Sequence, residues 1–245
     1  MARENFFDRP FVIPSILLSI AFFAGLALVA WGIAARGQGN TITVTGSASE
    51  EAKADTASMT VDLERTAYES DLANASAAVS RDANAVASYF KSQNLASSSV
   101  RTSVVSSNQN YSSDKGTPTS YSVRESVTFE TSDVDKADAL SHDIASLNSV
   151  APGSVVSLEA PQYYISSLPE LRISLLGAAI KDAKARASQI AQSGGSSVGA
   201  LSSAASGVVQ VLAPNSTDVE GYGEYDTSTI KKVVMVTAHA TFYVR

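Results

Sequence analysis

The sequence predicts an α+β protein. A single N-terminal transmembrane helix leads into a duplicated βαββ-type domain with antiparallel sheets and helices packed on one face. Three observations carry this. Residues 11–35 (FVIPSILLSIAFFAGLALVAWGIAA) pass without a charge. Beyond residue 41, stretches that alternate apolar and polar residues interleave with stretches whose apolar residues recur every three or four positions. The order strand, helix, strand, strand occurs over 55–131 and recurs over 155–244, and such an order gives antiparallel sheets with helices on one face.

The chain has 245 residues, a net charge of −6 and no cysteine. The charge argues against nucleic acid as a partner, and disulfide and thiolate chemistry are excluded. Residues 1–10 read as a short cytoplasmic tail. Phe11–Ala35 then crosses the lipid bilayer as an anchor: at ~1.5 Å per residue such a run spans a ~30 Å hydrocarbon layer. Pro14 falls in its first turn, where a missing N–H costs little, and Trp31 suits the headgroup level. Two other readings are a cleaved signal peptide, with Gly32, Ala34 and Ala35 near the cut, and a buried soluble helix. Signal h-regions run to only about 7–15 residues, and few soluble helices are apolar all round. Arg3 and Arg9 before the helix, against Arg36 and Lys53 after it, lean towards a cytoplasmic N-terminus. That puts the bulk of the chain outside an inner membrane, in a periplasm or beyond.

Residues 36–40 form a linker short enough to hold the domain at 41–245 against the membrane. Thr41–Gly46 and Asp55–Glu64 alternate as strands, the second with Ala57, Met59, Val61 and Leu63 inward. Ser47–Lys53 between them reads as a bulge or short turn. Ser70–Asn94 has a helical stripe of Leu72, Ala75, Val79, Ala83, Val86 and Phe90, with Ser70 or Asp71 to cap it. Val100–Ser113 and Ser120–Thr131 read as a hairpin turning at Lys115–Pro118. Tyr121, Val123, Glu125, Val127 and Phe129 share one face of the second strand. There Glu125 either has a partner or interface, or lies on a wide solvated edge. A helix over 132–148 with stripe Val134, Ala137, Leu140, Ile144 and Leu147 joins the two halves, 41–131 and 155–245.

Val155–Ile165 reads as a strand. Ser167–Glu170 has a capping-box pattern opening a long helix with stripe Leu176, Ile180, Ala183, Ala187 and Ile190, stopped by Gly194 and Gly195. Gly207–Ala213 reads as a strand and Pro214–Ser228 as a polar loop. Ile230–Val244 is a long final strand with Val234, Val236, Ala238, Ala240, Phe242 and Val244 on one face. Lys231, Thr237, His239, Thr241 and Arg245 dominate the other.

Four stretches together resemble the SIMPL-domain family of bacterial envelope proteins, from about Ile42 to the C-terminus. They are ITVTGSASEEAKADTASMTVDLE, VRTSVVSSNQNYSSDKGTPTSYSVRESVTFET, AAIKDAKARASQIAQSGGSSVGAL and VVMVTAHATFYV. The third is the most specific, an Asp182/Lys184/Arg186 helix running into Gly194, Gly195 and Gly199. The resemblance implies a secreted or membrane-anchored domain with repeated βαββ units and no established enzymatic activity. It also implies ring- or barrel-shaped homo-oligomers, with some members linked to stress tolerance or known as surface antigens. Many relatives carry a cleaved signal peptide where this chain has an anchor. The family has no agreed catalytic residues, so none is carried over.

The residues themselves offer little chemistry. His142 and His239 have no metal-ligand neighbour at a fixed spacing. There is no G-x-S-x-G elbow, and Gly194–Gly199 lacks a P-loop lysine. The loop with Asp218, Glu220, Glu224 and Asp226 around Gly221 and Gly223 is either a surface loop or a calcium site. Asp133, Asp135 and Asp138 favour a helix N-terminus. Sequons stand at Asn74, Asn110 and Asn215. No catalytic, cofactor-binding or metal-binding residue is assigned, and no cofactor. The function expected is a non-enzymatic, anchored scaffold that assembles with itself. The alternatives are a binding or accessory module for another envelope protein or the cell wall, and, weakest, an enzyme acting on envelope polymers through Glu125 or the 218–226 loop.

Overall fold

A computed structural model describes residues 12–35, 40–95, 98–111, 119–216 and 222–245. The fold is mixed: helices with antiparallel sheets, as the alternation and the helical stripes require. Helix α1 (Val12–Ala35) covers 24 residues, with Ser19 Oγ donating to Ser15 O at 2.8 Å. Its side chains are described without a gap only over 17–31, roughly 22 Å of helix, short of a ~30 Å hydrocarbon layer. Among the described residues no helix is long and apolar enough to cross a membrane. The tail 1–10, Phe11, the linker 36–39 and the hairpin turn at 115–118 lie outside the described residues.

The chain divides into two compact units. Unit 2 holds Gly46–Asp182 and Ser206–Ala238. Its larger sheet is built on β2 (Thr56–Tyr68), whose Ala57, Met59, Val61 and Leu63 are buried as their alternation predicts. On one side β2 pairs antiparallel with β5 (Ser120–Thr131), Val61 opposite Val127. On the other it pairs with β6 (Val155–Leu158) and β7 (Gln162–Tyr164). Beyond β5 lie β3 (Ser99–Thr102) and β4 (Ser106–Asn110). Helix α2 (Leu72–Ser92) covers this sheet with the expected stripe; Phe90 stacks on Phe129 with centroids 4.8 Å apart. Helices α3 (Val134–Ser141) and α4 (Ile144–Val150) add Ala137 and Leu147 to the same core.

A second sheet runs in the order β1 (Thr41–Lys53), β9 (Lys231–Val244), β8 (Val198–Leu212), with helix α5 (Leu168–Ser193). These four elements contribute residues to both units. In unit 2 they bury Leu175, Val211, Val234 and Val236. Unit 1 holds Met1–Thr45, Ala183–Ala205 and His239–Arg245; its core is Ala183, Ala187, Ala240 and Phe242, with Ile42, Val44 and Val198 packed on them.

Several expectations are corrected. Residues 47–53 are not a bulge or turn but the second half of β1; Ala48 and Ala52 pack inward, and their weakly apolar side chains with Glu50 and Glu51 between them hide the alternation. The first hairpin strand is two strands, broken where Ser103 Oγ takes the Ser126 N–H at 2.9 Å. The helix over 132–148 is two helices. Asp143 accepts from Ser146 N at 3.2 Å and Ser146 Oγ at 2.6 Å, so a side chain supplies a cap that ends one helix and starts the next. The strand over 155–165 breaks at Pro161, which has no N–H to donate. The α5 stripe is Leu175, Ala179, Ala183, Ala187 and Ala191, one position off at several points, leaving Ile190 54% exposed. Strand β8 begins at Val198, nine residues before the expected Gly207.

Candidate functional site

Each residue singled out in the sequence has a place. Glu125 is 6% exposed on β5, a central strand, so it is not on a solvated edge; Ser80 Oγ donates to its Oε2 at 2.7 Å. His142 is exposed at the end of α3. His239 is exposed on β9, its Nδ1 2.9 Å from Thr45 Oγ1. Gly195 sits at φ +74° and Ser196 N donates to Ala191 O at 2.8 Å, the helix stop its spacing predicts. The three aspartates expected to favour a helix N-terminus have side-chain partners: Asp133 with Lys136, Asp135 with Lys53, and Asp138 with the Tyr163 hydroxyl at 2.7 Å. Asp218, Glu220 and Gly221 lie outside the described residues. Among the described residues no three His, Asp or Glu side chains gather to hold a metal ion.

The group that sequence reasoning missed is Lys232. The inward, even-numbered series of β9 (Val234, Val236, Ala238) continues back to 232, so a lysine points into the core of unit 2 and is only 1% exposed. That alternation was the available signal. A buried ammonium is costly unless paired. Lys232 Nζ donates to Asp226 O, lies 3.4 Å from Asp226 Oδ2, and stands 5.8 Å from the centre of the Tyr225 ring. Asp226 Oδ1 also accepts from Ser228 N at 2.9 Å and Ser228 Oγ at 2.6 Å, and Oδ2 from Thr229 Oγ1. Burial works to raise the Asp226 carboxyl, but these bonds and the ammonium outweigh it and hold it well below the ordinary carboxylate range. Burial lowers the Lys232 ammonium against the pull of Asp226.

The arrangement clamps a loop. Val211 N donates to Glu224 O and Asp226 N to Val211 O, at 2.8 and 2.7 Å, and Tyr225 Oη accepts from Ile165 N at 2.9 Å. The Lys232 side chain is fully buried, although the residue borders a cavity. Two cavities open nearby: one of about 500 Å³ beside Glu51, Lys53, Asn215 and Lys231, and one of about 330 Å³ lined by Leu168, Arg172, Tyr222 and Tyr225.

The other exposed feature is a backbone edge. β8 bounds the three-stranded sheet on one side and β1 on the other. Over all 15 residues (VGALSSAASGVVQVL) β8 has neither a charge nor a proline, and residues 200–206 are exposed throughout. Exposed strand edges are usually blunted by lysine, proline or a bulge.

A model of the SIMPL family, described as a protein of unknown function (DUF541), matches residues 42–242. The chain belongs to the SIMPL family. A comparison with curated proteins finds no match. The SIMPL domain therefore spans β1 to the last residues of β9, and the four stretches that suggested it fall on β1–β2, β3–β5, α5–β8 and β9.

Proposed function

We propose that this SIMPL protein is a non-enzymatic, membrane-anchored envelope scaffold that assembles with itself into a ring or barrel through the edges of its three-stranded sheet. One observation carries the reading: β8 presents an uncharged edge that is exposed over 200–206 and paired with the 224–226 segment only at its Val211 end among the described residues, with β1 as the opposite edge of the same sheet. A neighbouring copy that paired its β1 edge with this β8 edge would satisfy both rows of free backbone groups, and repetition of that head-to-tail contact closes a ring. The anchor is Phe11–Ala35. Every α1 side chain described is uncharged and exposed, and Ser19 satisfies its own hydroxyl within the helix, as a lipid environment demands. The tail stays cytoplasmic, the duplicated βαββ domain lies outside, and the role is linked to envelope stress tolerance.

Light scattering of the full chain in detergent tests this. The expected result is one mass at a fixed multiple of 25.5 kDa, collapsing to the monomer for a Ser203→Lys/Ala205→Lys variant. A wild-type monomer overturns the reading. A second reading, an accessory module, draws on the 330 Å³ groove, whose Tyr222 is fully exposed. It predicts a partner held at fixed stoichiometry and lost on Tyr225→Ala, with the edge variant unaffected.

A further inference from the structure

The edges of the three-stranded sheet are not open along their whole length. Four contacts hold β1 and β9 in one register: Val244 N to Asn40 O, Thr241 beside Thr43, His239 beside Thr45, and Ala54 N to Ile230 O. Asn40 O and Ala54 N therefore face β9. In an antiparallel ladder such residues alternate with ones whose backbone groups face away, so the odd-numbered residues of β1 turn theirs to the outer side. Ser47 is one of these. Its N–H is not left open: it donates to Asp182 Oδ2, on α5, at 2.9 Å. Beyond it Glu50, Glu51 and Lys53 put charge on the strand, a common way of blunting an edge. Before it, Thr41–Thr45 (TITVT) has no charge.

Strand β8 is stopped in the same sense. Just before its start Ser197 and Arg245 exchange both backbone bonds, so β8 is also antiparallel to β9 and runs the same way as β1. Its exposed stretch, 200–206, lies towards the N-terminal end. Towards the other end Val211 bonds to Glu224 O and Asp226 N. Each strand is thus uncharged and open in its N-terminal part, almost all of it in unit 1, and stopped further on, in unit 2. A copy repeated head to tail, by rotation about an axis along the strands, brings its β1 parallel to the neighbour's β8 with the open parts together.

We propose that Asp182 guards the β1 edge: by holding the Ser47 N–H it confines the parallel junction with a second copy's β8 to Thr41–Thr45. The proposal rests on the self-assembly reading above. The occupant is a second copy because the two uncharged stretches lie on opposite edges of one sheet and are stopped at corresponding ends. Without the guard a copy can slide along the edge, and register is weakly specified in strands so poor in large apolar residues.

The chain has no cysteine, so thiols can be placed at will. Full-length chains with one cysteine on β1 are co-expressed with chains bearing one on β8, and joined in detergent by a short bifunctional thiol reagent. Thr41→Cys with Leu201→Cys, and Thr45→Cys with Ala205→Cys, should cross-link roughly three-fold or more over the exchanged pairs 41 with 205 and 45 with 201, because four residues of strand span about 13 Å. Ser49→Cys with Ala205→Cys should stay low. Asp182→Ala should raise it to the level of 45 with 205, as should Asp182→Leu, which keeps bulk without an acceptor. Asp182→Asn, whose amide oxygen still accepts the Ser47 N–H, should not. Nor should Asp182→Ala/Ser47→Pro, where proline closes an outward-facing position without the carboxylate.

The strand-direction arm uses no change at Asp182 and so does not depend on such a variant folding. An oligomer whose 49 with 205 pair stays low in folded Asp182→Ala and Asp182→Leu chains overturns the guard and leaves the assembly standing. Equal cross-linking of all four pairs, or preference for the exchanged ones, overturns the parallel junction. A wild-type monomer removes the assembly and the junction together.

Discussion

Lys232 and Asp226 show how one polar pair decides the course of a loop. The ammonium lies where β9 otherwise puts valine or alanine, and it is tolerated because Asp226 and its backbone carbonyl receive it. Removing one partner of such a buried pair costs about 3–5 kcal/mol, because the other is left uncompensated. Lys232→Ala should therefore lower the melting temperature by roughly 10 °C in a domain of this size, read by circular dichroism in detergent. Lys232→Met, which fills the same space while Ser228 and Thr229 still bind Asp226, should lose less than half of that. Asp226 also sets an acid limit. Its carboxyl titrates lower in the folded than in the unfolded chain, so its contribution is present above the ordinary value of 3.8 and is lost as pH falls below 3.8. Denaturant midpoints measured from pH 6 down to 2 should fall more steeply for wild type than for Asp226→Asn. A parallel pair of curves would refute the assignment. Glu125 teaches the complementary lesson. Its place in an inward row was legible, but its Ser80 partner lies 45 positions away on another element and was not.

At the scale of elements, periodicity gave the inward faces of β2, β5, α2 and β9 correctly and gave boundaries poorly. The breaks at Ser103, Asp143 and Pro161 come from single side chains that offer the backbone another partner or withhold one, which a search for periodicity averages away. Helix α5 shows a finer failure. Alanines occur on several of its faces, so the sequence could not choose between neighbouring stripes; packing chose the one with Ala183 and Ala187 wholly buried. Small side chains there let the helix lie close on Ala240 and Phe242. Ala187→Leu should overfill that contact and cost about 1–3 kcal/mol, whereas Ile190→Leu, on the exposed face, should change the melting temperature by less than a degree or two. Equal effects from the two would mean that the stripe has been misplaced.

At the scale of the whole molecule, the open edges and the apolar helix make separable claims. The β1 and β8 edges both lie beyond residue 40, so assembly through them does not need the anchor. A chain beginning at Thr41 should leave the membrane fraction yet keep the number of copies of the full-length oligomer in light scattering. Loss of the oligomer on this truncation would show that clustered anchors, not strand edges, hold the copies together. Retention in the membrane fraction would show that α1 is not what holds the chain there.

By itself the sequence determined that the chain has one uncharged apolar run and a family signature over its folded part. It also determined which faces of β2, β5, α2 and β9 turn inward, because burial there follows from the spacing of near neighbours. Only the tertiary structure decided that β1 runs on through residue 53 and that β6 and β7 join β2. It also decided that Lys232 meets Asp226. The reason is range: Thr43 and Thr241 touch at 2.9 Å across 198 positions, and no local pattern specifies a partner so distant. Edges become surfaces only once those distant pairings are made.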